Sequence, residues 1–233
     1  YTKNHMGGYT YVDSRFDFPG KPEYIITKHK LLSTNTEITT REDFEYTAQG
    51  RLQSQTHQIN GGTKQLIVKN SYDELGQLMN KKVGGDVATV IENSLGLQTV
   101  DYKYNIRGWL TQINNPTTLG TDLFGFKINY NTAGHGATPL YNGNISETEW
   151  KTQSDNSLRW YKYSFDPLSR INNATASSSN YNLNLVTYDK NGNIVRLQRQ
   201  GHTNATATTF GIMDDLTYSY QGNSNKLLKV ADA

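Results

Sequence analysis

The sequence contains no cysteine, which excludes a disulfide framework and any metal site built on thiolates. It has no apolar run long enough for a transmembrane helix, which needs about 18 consecutive residues. Charge of neither sign dominates, since 23 basic and 21 acidic residues give a net charge of +2. Without a basic run, neither a nucleic acid nor an anionic membrane surface is indicated as a partner.

Apolar residues are scarce as well: 35% of the chain is hydrophobic and the mean hydropathy is -0.71. The polar surface comes from amides and hydroxyls, with 24 Asn, and the aromatic content is high, with 16 Tyr. Disordered chains usually have high charge and few aromatics, so disorder is a poor fit. Tyr, Thr, Val and Ile favour strands while Asn and Gly favour turns, so we predict an all-β protein with many hairpins.

A seven-residue pattern recurs along the chain: an aromatic residue, three residues, Gly, one residue, and then Leu or Ile. It occurs at Tyr46–Leu52, Tyr72–Leu78, Tyr104–Leu110, Phe165–Ile171 and Tyr188–Ile194, and more loosely at Tyr220–Leu227. Tyr141–Ile145 is a shortened relative, and Phe126–Tyr130 is predicted to be a degenerate strand in the long gap. The residues expected to define the repeat are Tyr46, Gly50, Leu52, Tyr72, Asp73, Gly76, Leu78, Tyr104, Gly108, Leu110, Phe165, Asp166, Pro167, Ile171, Tyr188, Asp189, Gly192, Ile194, Tyr220 and Leu227.

The pattern has the chemistry of a β-hairpin turn. Asp or Asn after the aromatic suits the first position of a type I turn, and Pro167 suits the second. Gly can then take the left-handed conformation that closes the turn with a bulge, although Ser169 stands there in one copy. The aromatic and the Leu or Ile can meet across the hairpin.

A lone hairpin is marginal in water, so the hairpins must stack on one another. We therefore predict tandem hairpins in a curved or spiralling antiparallel sheet. The alternative is an ordinary β-sandwich with incidental Tyr–Gly turns.

At these residues the chain resembles the YD repeats of RHS proteins, whose signature reads Tyr-Asp-x-x-Gly-Arg-Leu. Tyr72–Leu78 matches except for Gln77, and Tyr46–Leu52 keeps the Gly-Arg-Leu end but has Thr47. Leu97–Leu110 is similar to a stretch typical of one bacterial RHS subgroup. The resemblance covers roughly residues 20 to 230.

The resemblance implies a sheet that closes into a hollow shell, around a C-terminal toxin domain or at the cell surface of a bacterium. The expected partners are the remainder of the same polypeptide, namely further repeats and an enclosed domain. We expect residues 1–20 to be an N-terminal strand or linker and residues 21–233 to be an array of about six to eight repeats. Because the chain begins without Met and without an apolar signal region, we expect it to be a piece of a longer polypeptide. The resemblance implies that this polypeptide is secreted or lies at the surface of a bacterial cell. Asp166-Pro167 begins like the family's self-cleaving segment but lacks its Gly and second Asp, so no autoproteolytic residue is predicted.

No catalytic residue, cofactor or metal site is predicted elsewhere. The five histidines, His5, His29, His57, His135 and His202, have no metal-ligand spacing; His29 and His57 are expected on strands and His135 in a loop. The acid pairs Glu42/Asp43, Glu147/Glu149 and Asp214/Asp215 are interpreted as solvated turn or surface charge. Ser94 and Ser146 lack a nucleophile elbow, and 145–151 is expected to form a short helical turn.

Three functions remain open from sequence. A structural shell segment is favoured by the repeat and involves no catalysis. A cell-surface carbohydrate-binding or adhesion module is the alternative, in which Trp109, Trp150 and Trp160 would stack on sugars, although packing within the repeats is the favoured explanation of these residues. A carbohydrate-active enzyme would need two carboxylates converging in a cleft, about 5 to 10 Å apart.

Overall fold

The computed structural model describes residues 1–86 and 96–233, which divide into two compact units, Tyr1–Gly108 and Trp109–Ala233. All regular structure in the described residues is strand, apart from one 3-10 turn at Ser179–Tyr181. None of the helical structure described there is long and apolar enough to cross a membrane. The prediction of an all-β protein is confirmed.

The first unit is a meander in which each strand pairs antiparallel with the next along the chain. Residues 1–20 contribute β1 and β2 to it, and β2 pairs with β3 over nearly its whole length. The expected strand positions of His29 and His57 are confirmed, on β3 and β5. The strands are β1 (Thr2–Lys3), β2 (Tyr9–Phe16), β3 (Pro22–Lys30), β4 (Ile38–Tyr46), β5 (Leu52–Ile59), β6 (Gln65–Tyr72), β7 (Leu78–Val83) and β8 (Gln98–Tyr104).

The second unit repeats this plan with nine strands, again paired antiparallel in chain order. The expected degenerate strand near Phe126 is present as β10. Residues 145–151 do not form the expected helical turn, because Glu147–Thr152 pairs on both sides as β11. The strands are β9 (Leu110–Ile113), β10 (Phe124–Asn129), β11 (Glu147–Thr152), β12 (Arg159–Phe165), β13 (Ile171–Ala176), β14 (Leu183–Tyr188), β15 (Ile194–His202), β16 (Phe210–Tyr220) and β17 (Leu227–Asp232).

Each unit buries few apolar side chains. Among the described residues only six hydrophobic side chains are buried, and two of them are alanines. Backbone ladders and polar contacts must therefore carry much of the order that a conventional core would supply. The six are Leu66, Val68, Leu119, Ala174, Ala176 and Val186.

Candidate functional site

The recurring turn has one geometry in its regular copies. In the copy at Tyr72, the N–H of Asp73 donates to the carbonyl of Gln77 at 3.0 Å, and the N–H of Gly76 donates back to the carbonyl of Asp73 at 2.9 Å. The Asp73 carboxylate also accepts the N–H of Gln77 at 2.7 Å. Asp166 and Asp189 make the same side-chain contact with Arg170 and Asn193. The Asp of the signature therefore stabilises the turn by accepting a backbone N–H from its far side.

The residue at the glycine position of the pattern adopts the left-handed conformation that the pattern predicts. Its φ is +77° at Gly50, +81° at Gly76, +77° at Gly108 and +89° at Gly192. Ser169 takes +62° in the copy without Gly, so the geometry is imposed by the turn and not by glycine alone. In the looser sixth copy the left-handed residue is Asn223, because that turn is one residue longer.

In the copies whose pairing lies within one unit, the aromatic and the aliphatic residue lie opposite each other across the hairpin. Tyr72 pairs with Leu78, and a one-residue bulge next to this pair bends the strand. The same pair and bulge recur at the other copies whose pairing lies within one unit. The pairs are Tyr46 with Leu52, Phe165 with Ile171, Tyr188 with Ile194 and Tyr220 with Leu227. Tyr104 ends β8, and Leu110 begins β9.

A further copy of the turn, which the sequence pattern overlooked, lies at Phe16–Pro22. Phe16 pairs with Pro22 beside a bulge, Asp17 accepts the N–H of Lys21, and Gly20 has a φ of +89°. It was missed because Pro22 stands where Leu or Ile was required. The aromatic-Asp-x-x-Gly spacing alone would have found it.

Neighbouring hairpins are joined by a tyrosine hydroxyl that donates to a backbone carbonyl of the preceding hairpin. In the first unit, the hydroxyl of Tyr72 donates to the carbonyl of Leu52 at 2.7 Å. The acceptor is in each case the residue that begins the strand after the preceding turn. The other pairs are Tyr46 with Pro22, Tyr130 with Leu110, Tyr188 with Ile171 and Tyr220 with Ile194, at 2.7 to 3.1 Å.

A cation completes this contact at three of the junctions. The residue just before the acceptor carbonyl places its charge over the same tyrosine ring, with Arg51 5.8 Å from the ring centre of Tyr72. A Cβ on Gly76 would come within 2.0 Å of the Arg51 guanidinium carbon, so glycine leaves room for the cation. We call the hydroxyl-to-carbonyl bond together with this cation the hairpin clamp. The other cations are Lys21 over Tyr46, at 5.2 Å, and Arg170 over Tyr188, at 4.4 Å.

A buried carboxylate organises the long loop between β10 and β11. Glu147 is fully buried, and its two oxygens accept the N–H groups of Gly134, His135 and Ala137 at 2.7, 2.8 and 3.0 Å. The side-chain amide of Asn129 adds a fourth bond at 3.3 Å. Burial opposes the charge, but these N–H groups outweigh it and lower the pKa of Glu147 below its ordinary value of 4.5. Glu147 therefore stays ionised and holds the loop against the sheet.

Glu149 lies on the same face of β11 and is also buried, with 4% of its surface exposed. It accepts from the amide of Asn129 at 2.8 Å and from Lys127 at 3.2 Å, while Nε2 of His135 lies 3.7 Å away without a hydrogen-bond partner. The His135 ring stacks on Trp160 at 4.6 Å. His135 does lie in a loop, as expected.

The interpretation of Glu147 and Glu149 as solvated charge was wrong. Alternate strand residues share a face, so the two glutamates could have been placed together from sequence, but only the structure shows the loop that covers them. His135 and the two glutamates bring ligand atoms within 4.8 Å of one another, a grouping that the histidine spacing did not reveal. All the lone pairs of Glu147 face protein donors and Glu149 faces Lys127, so the arrangement is suited to anchoring the loop.

Of the other acid pairs, Asp43 pairs with Arg41 on its own strand and with Lys64, whereas Asp214 and Asp215 form cross-strand ion pairs. Asp215 receives two bonds from Arg196, and the hydrogen bonds from that guanidinium lower the pKa of Asp215 to about 2. Asp214 pairs with Arg199 on the neighbouring strand. Ser146 is buried and donates to the carbonyl of Asn129, whereas Ser94 lies outside the described residues.

The three tryptophans are half-buried and contact other rings of the protein. Trp109 packs on Tyr130, with ring centres 5.1 Å apart. Trp150 stacks on Tyr161 at 5.7 Å, and Trp160 stacks on His135. Each therefore has at least one ring partner within the second unit.

Comparison with known proteins identifies the fold and nothing finer. No protein-family model and no curated protein matches the chain. A chain in the crystal structure of TcdB2-TccC3-Cdc42 matches 95% of this chain with a TM-score of 0.56 and 14% identity. A chain in the structure of the Photorhabdus luminescens Tc holotoxin pore carrying the TccC3-D651A mutation matches 97% with a TM-score of 0.62 and 14% identity. This chain spans only 12% and 11% of their lengths. The fold is therefore RHS-like, as found in chains of Tc toxin complexes.

Proposed function

We propose that this chain is a wall segment of an RHS-type shell that encloses or presents a C-terminal, toxin-like domain of the same polypeptide. The hairpin clamp is the observation that carries the proposal. Its tyrosine hydroxyl donates to a carbonyl of the preceding hairpin at five junctions, and a cation completes the clamp at three of them, in both units. A repeat whose signature serves its neighbours is suited to building a surface.

Thin apolar burial supports the same role. A chain with six buried hydrophobic side chains among its described residues gains stability mainly by adding neighbours, because each added hairpin brings a further strand ladder. The stability of such an array is then approximately a sum of contributions from neighbouring pairs of hairpins. A wall of any length can be built by repeating the unit.

The matched Tc toxin chains support a role as one part of a larger assembly, since this chain corresponds to about a tenth of their length. We propose that the whole polypeptide acts outside the cell, secreted or at the cell surface of a bacterium, and that this segment performs no catalysis. The buried pair Glu147 and Glu149 is consistent with that view, since the loop anchored on Glu147 covers it.

The carbohydrate-binding alternative has less support. It needs aromatic faces open to a sugar ring, but each tryptophan already contacts a ring of the protein. No observation in the described residues favours it over packing.

Peptide-mapping mass spectrometry of the native polypeptide tests the proposal. We expect further Tyr-Asp hairpins on the C-terminal side, followed by a cleavage segment and an unrelated domain. A native polypeptide that ends near Ala233, or that continues into a cell-wall anchor, would contradict it.

A further inference from the structure

A cavity opens in the second unit where the strand ladder is irregular. Within the described part of this unit, β13 and β14 pair at a single position, Ala174 with Leu183. Bulges also interrupt the next two ladders, between Leu183 and Leu185 and between Arg199 and Gln200. Bulges bend a strand and re-aim its side chains, which leaves a concave surface here. The cavity measures about 440 Å³, within the range of small-molecule sites. We call it the tyrosine cavity, and its lining includes Tyr161, Tyr163, Ala174, Tyr181, Gly201 and Met213.

The floor of the tyrosine cavity is formed by residues with little or no side chain. Ala174 on β13 is 4% exposed, and Gly201 on β15 is buried. The side chain of Met213 lies against Gly201, since a Cβ on that glycine would come within 2.5 Å of the methionine sulfur. Small residues at these two positions leave the space that a larger strand residue would fill.

Tyrosine rings form the walls. Tyr161 and Tyr163 stack with their ring centres 6.1 Å apart and 22° between their planes. The hydroxyl of Tyr161 donates to the carbonyl of Tyr181 at 2.7 Å, and the hydroxyl of Tyr163 is hydrogen-bonded to Thr148 at 2.9 Å. Burial raises the pKa of Tyr161 above its ordinary value of 10.0, as apolar surroundings do. The two rings are therefore held in place and offer their faces to a ligand.

The ion pair at the rim carries no net charge. Arg199 lines the cavity from β15, and its guanidinium pairs with Asp214 on β16. A charged ligand would have to displace that partner or lose its own hydration. Tyr181 is 46% exposed and packs edge-on against Phe210, so its side chain remains accessible at the rim. The rim therefore favours an uncharged ligand with an aromatic ring.

We propose that the tyrosine cavity binds a small, uncharged aromatic molecule. Its flat ring packs against Tyr161 and Tyr163 above the small floor, and Tyr181 closes one side. Contact between rings stabilises such a complex beyond the burial of apolar area. A sugar suits the cavity less well, because the hydroxyls of Tyr161 and Tyr163 are already bonded within the protein. Binding does not depend on the proposed shell role, since every lining residue belongs to the second unit.

Isothermal titration of the chain with indole tests the proposal. Indole is flat, aromatic and uncharged, and we expect it to bind at a single site. Tyr181→Ala removes the exposed ring and should weaken binding about 2- to 12-fold, as the value of one aromatic pair allows. Ala174→Leu fills the floor and should abolish binding, because the new side chain occupies the space of the ligand. Circular dichroism and thermal unfolding establish that each variant is folded before it is titrated.

Phe124→Ala is the matched control, because Phe124 is 40% exposed in the same unit and contacts the ring of Phe126, but lies outside the cavity. It should leave the affinity unchanged. Indole-3-acetate and glucose should both bind more weakly than indole, because one is charged and the other lacks an aromatic ring. Absence of indole binding, undiminished affinity in Tyr181→Ala or in folded Ala174→Leu, or tighter binding of either comparison compound would each overturn the proposal.

Discussion

At the scale of single residues, each member of the Tyr-Asp-x-x-Gly-Arg-Leu signature has a physical role. The tyrosine and the residue after glycine act between hairpins, whereas the aspartate and the glycine shape the turn itself. Tyr72, Arg51 and Leu52 show the division, since their contact crosses from one hairpin to the next. A signature recognised by resemblance is thereby explained by hydrogen bonds, cation–π contact and backbone conformation.

The tyrosine hydroxyl that joins neighbouring hairpins can be tested on one strand with an internal control. Tyr220→Phe removes only the bond to the carbonyl of Ile194, which is 2.8 Å long. We expect it to lower the free energy of unfolding by about 1 kcal/mol, the net value of a hydrogen bond. Urea unfolding followed by circular dichroism measures the change.

Tyr218→Phe, on the same strand, is the control, since no protein acceptor for its hydroxyl is described, and it should cost less than about 0.5 kcal/mol. Equal costs for the two variants would show that the hydroxyl of Tyr220 adds nothing.

Glu147 gives the second unit a dependence on pH. Its pKa is lowered in the folded chain, so its contribution is fully present above the unfolded value near 4.5 and is lost as pH falls through the folded pKa. Glu147→Gln places an amide N–H₂ against N–H donors and should cost about 2 to 4 kcal/mol at pH 7. The acid-induced loss of stability should also become shallower in this variant.

Urea unfolding between pH 7 and pH 3 checks both effects. Glu23→Gln is the control, because Glu23 is a half-buried acid that pairs with the exposed Arg15, and it should change stability by less than about 0.5 kcal/mol. A Glu147→Gln variant as stable as the parent, with the same pH profile, would refute the anchoring role.

At the scale of elements, the turns explain why the sequence predicts the hairpins so well. Asp and Gly at fixed offsets encode a local backbone path, so positions such as Gly50 and Gly76 can be recognised without tertiary information. The copy at Phe16 was missed because the pattern required Leu or Ile at the position of Pro22. The burial of Glu147 could not be predicted, because no sequence feature near it indicates the four N–H groups that bind its carboxylate.

Alanine substitutions at two glycines distinguish a glycine that the turn conformation requires from one that it does not require. Gly76→Ala should lower the free energy of unfolding by about 1 to 2 kcal/mol, because its φ is +81° and the new Cβ would meet Arg51. Gly222→Ala should be nearly neutral, because Gly222 has no positive φ and nothing lies within 4 Å of its Cβ position. Thermal unfolding of both variants compares them, and equal losses would mean that the left-handed turn position carries no special constraint.

At the scale of the whole molecule, each unit is a succession of hairpins with a thin apolar core. Apart from the end strands, the strands of each unit are stabilised by a neighbour on each side, as in a repeat array. The sequence alone could predict the repeat and its all-β character. It could not predict the loop over Glu147 or the clamp, because both depend on contacts between segments that are distant along the chain.

Limited proteolysis of the complete native polypeptide tests the central claim most directly. If this chain is shell wall, the downstream domain should remain uncut under native conditions and become susceptible only when denaturant opens the hairpin array. Rapid cleavage throughout that domain while the hairpins stay intact would contradict enclosure.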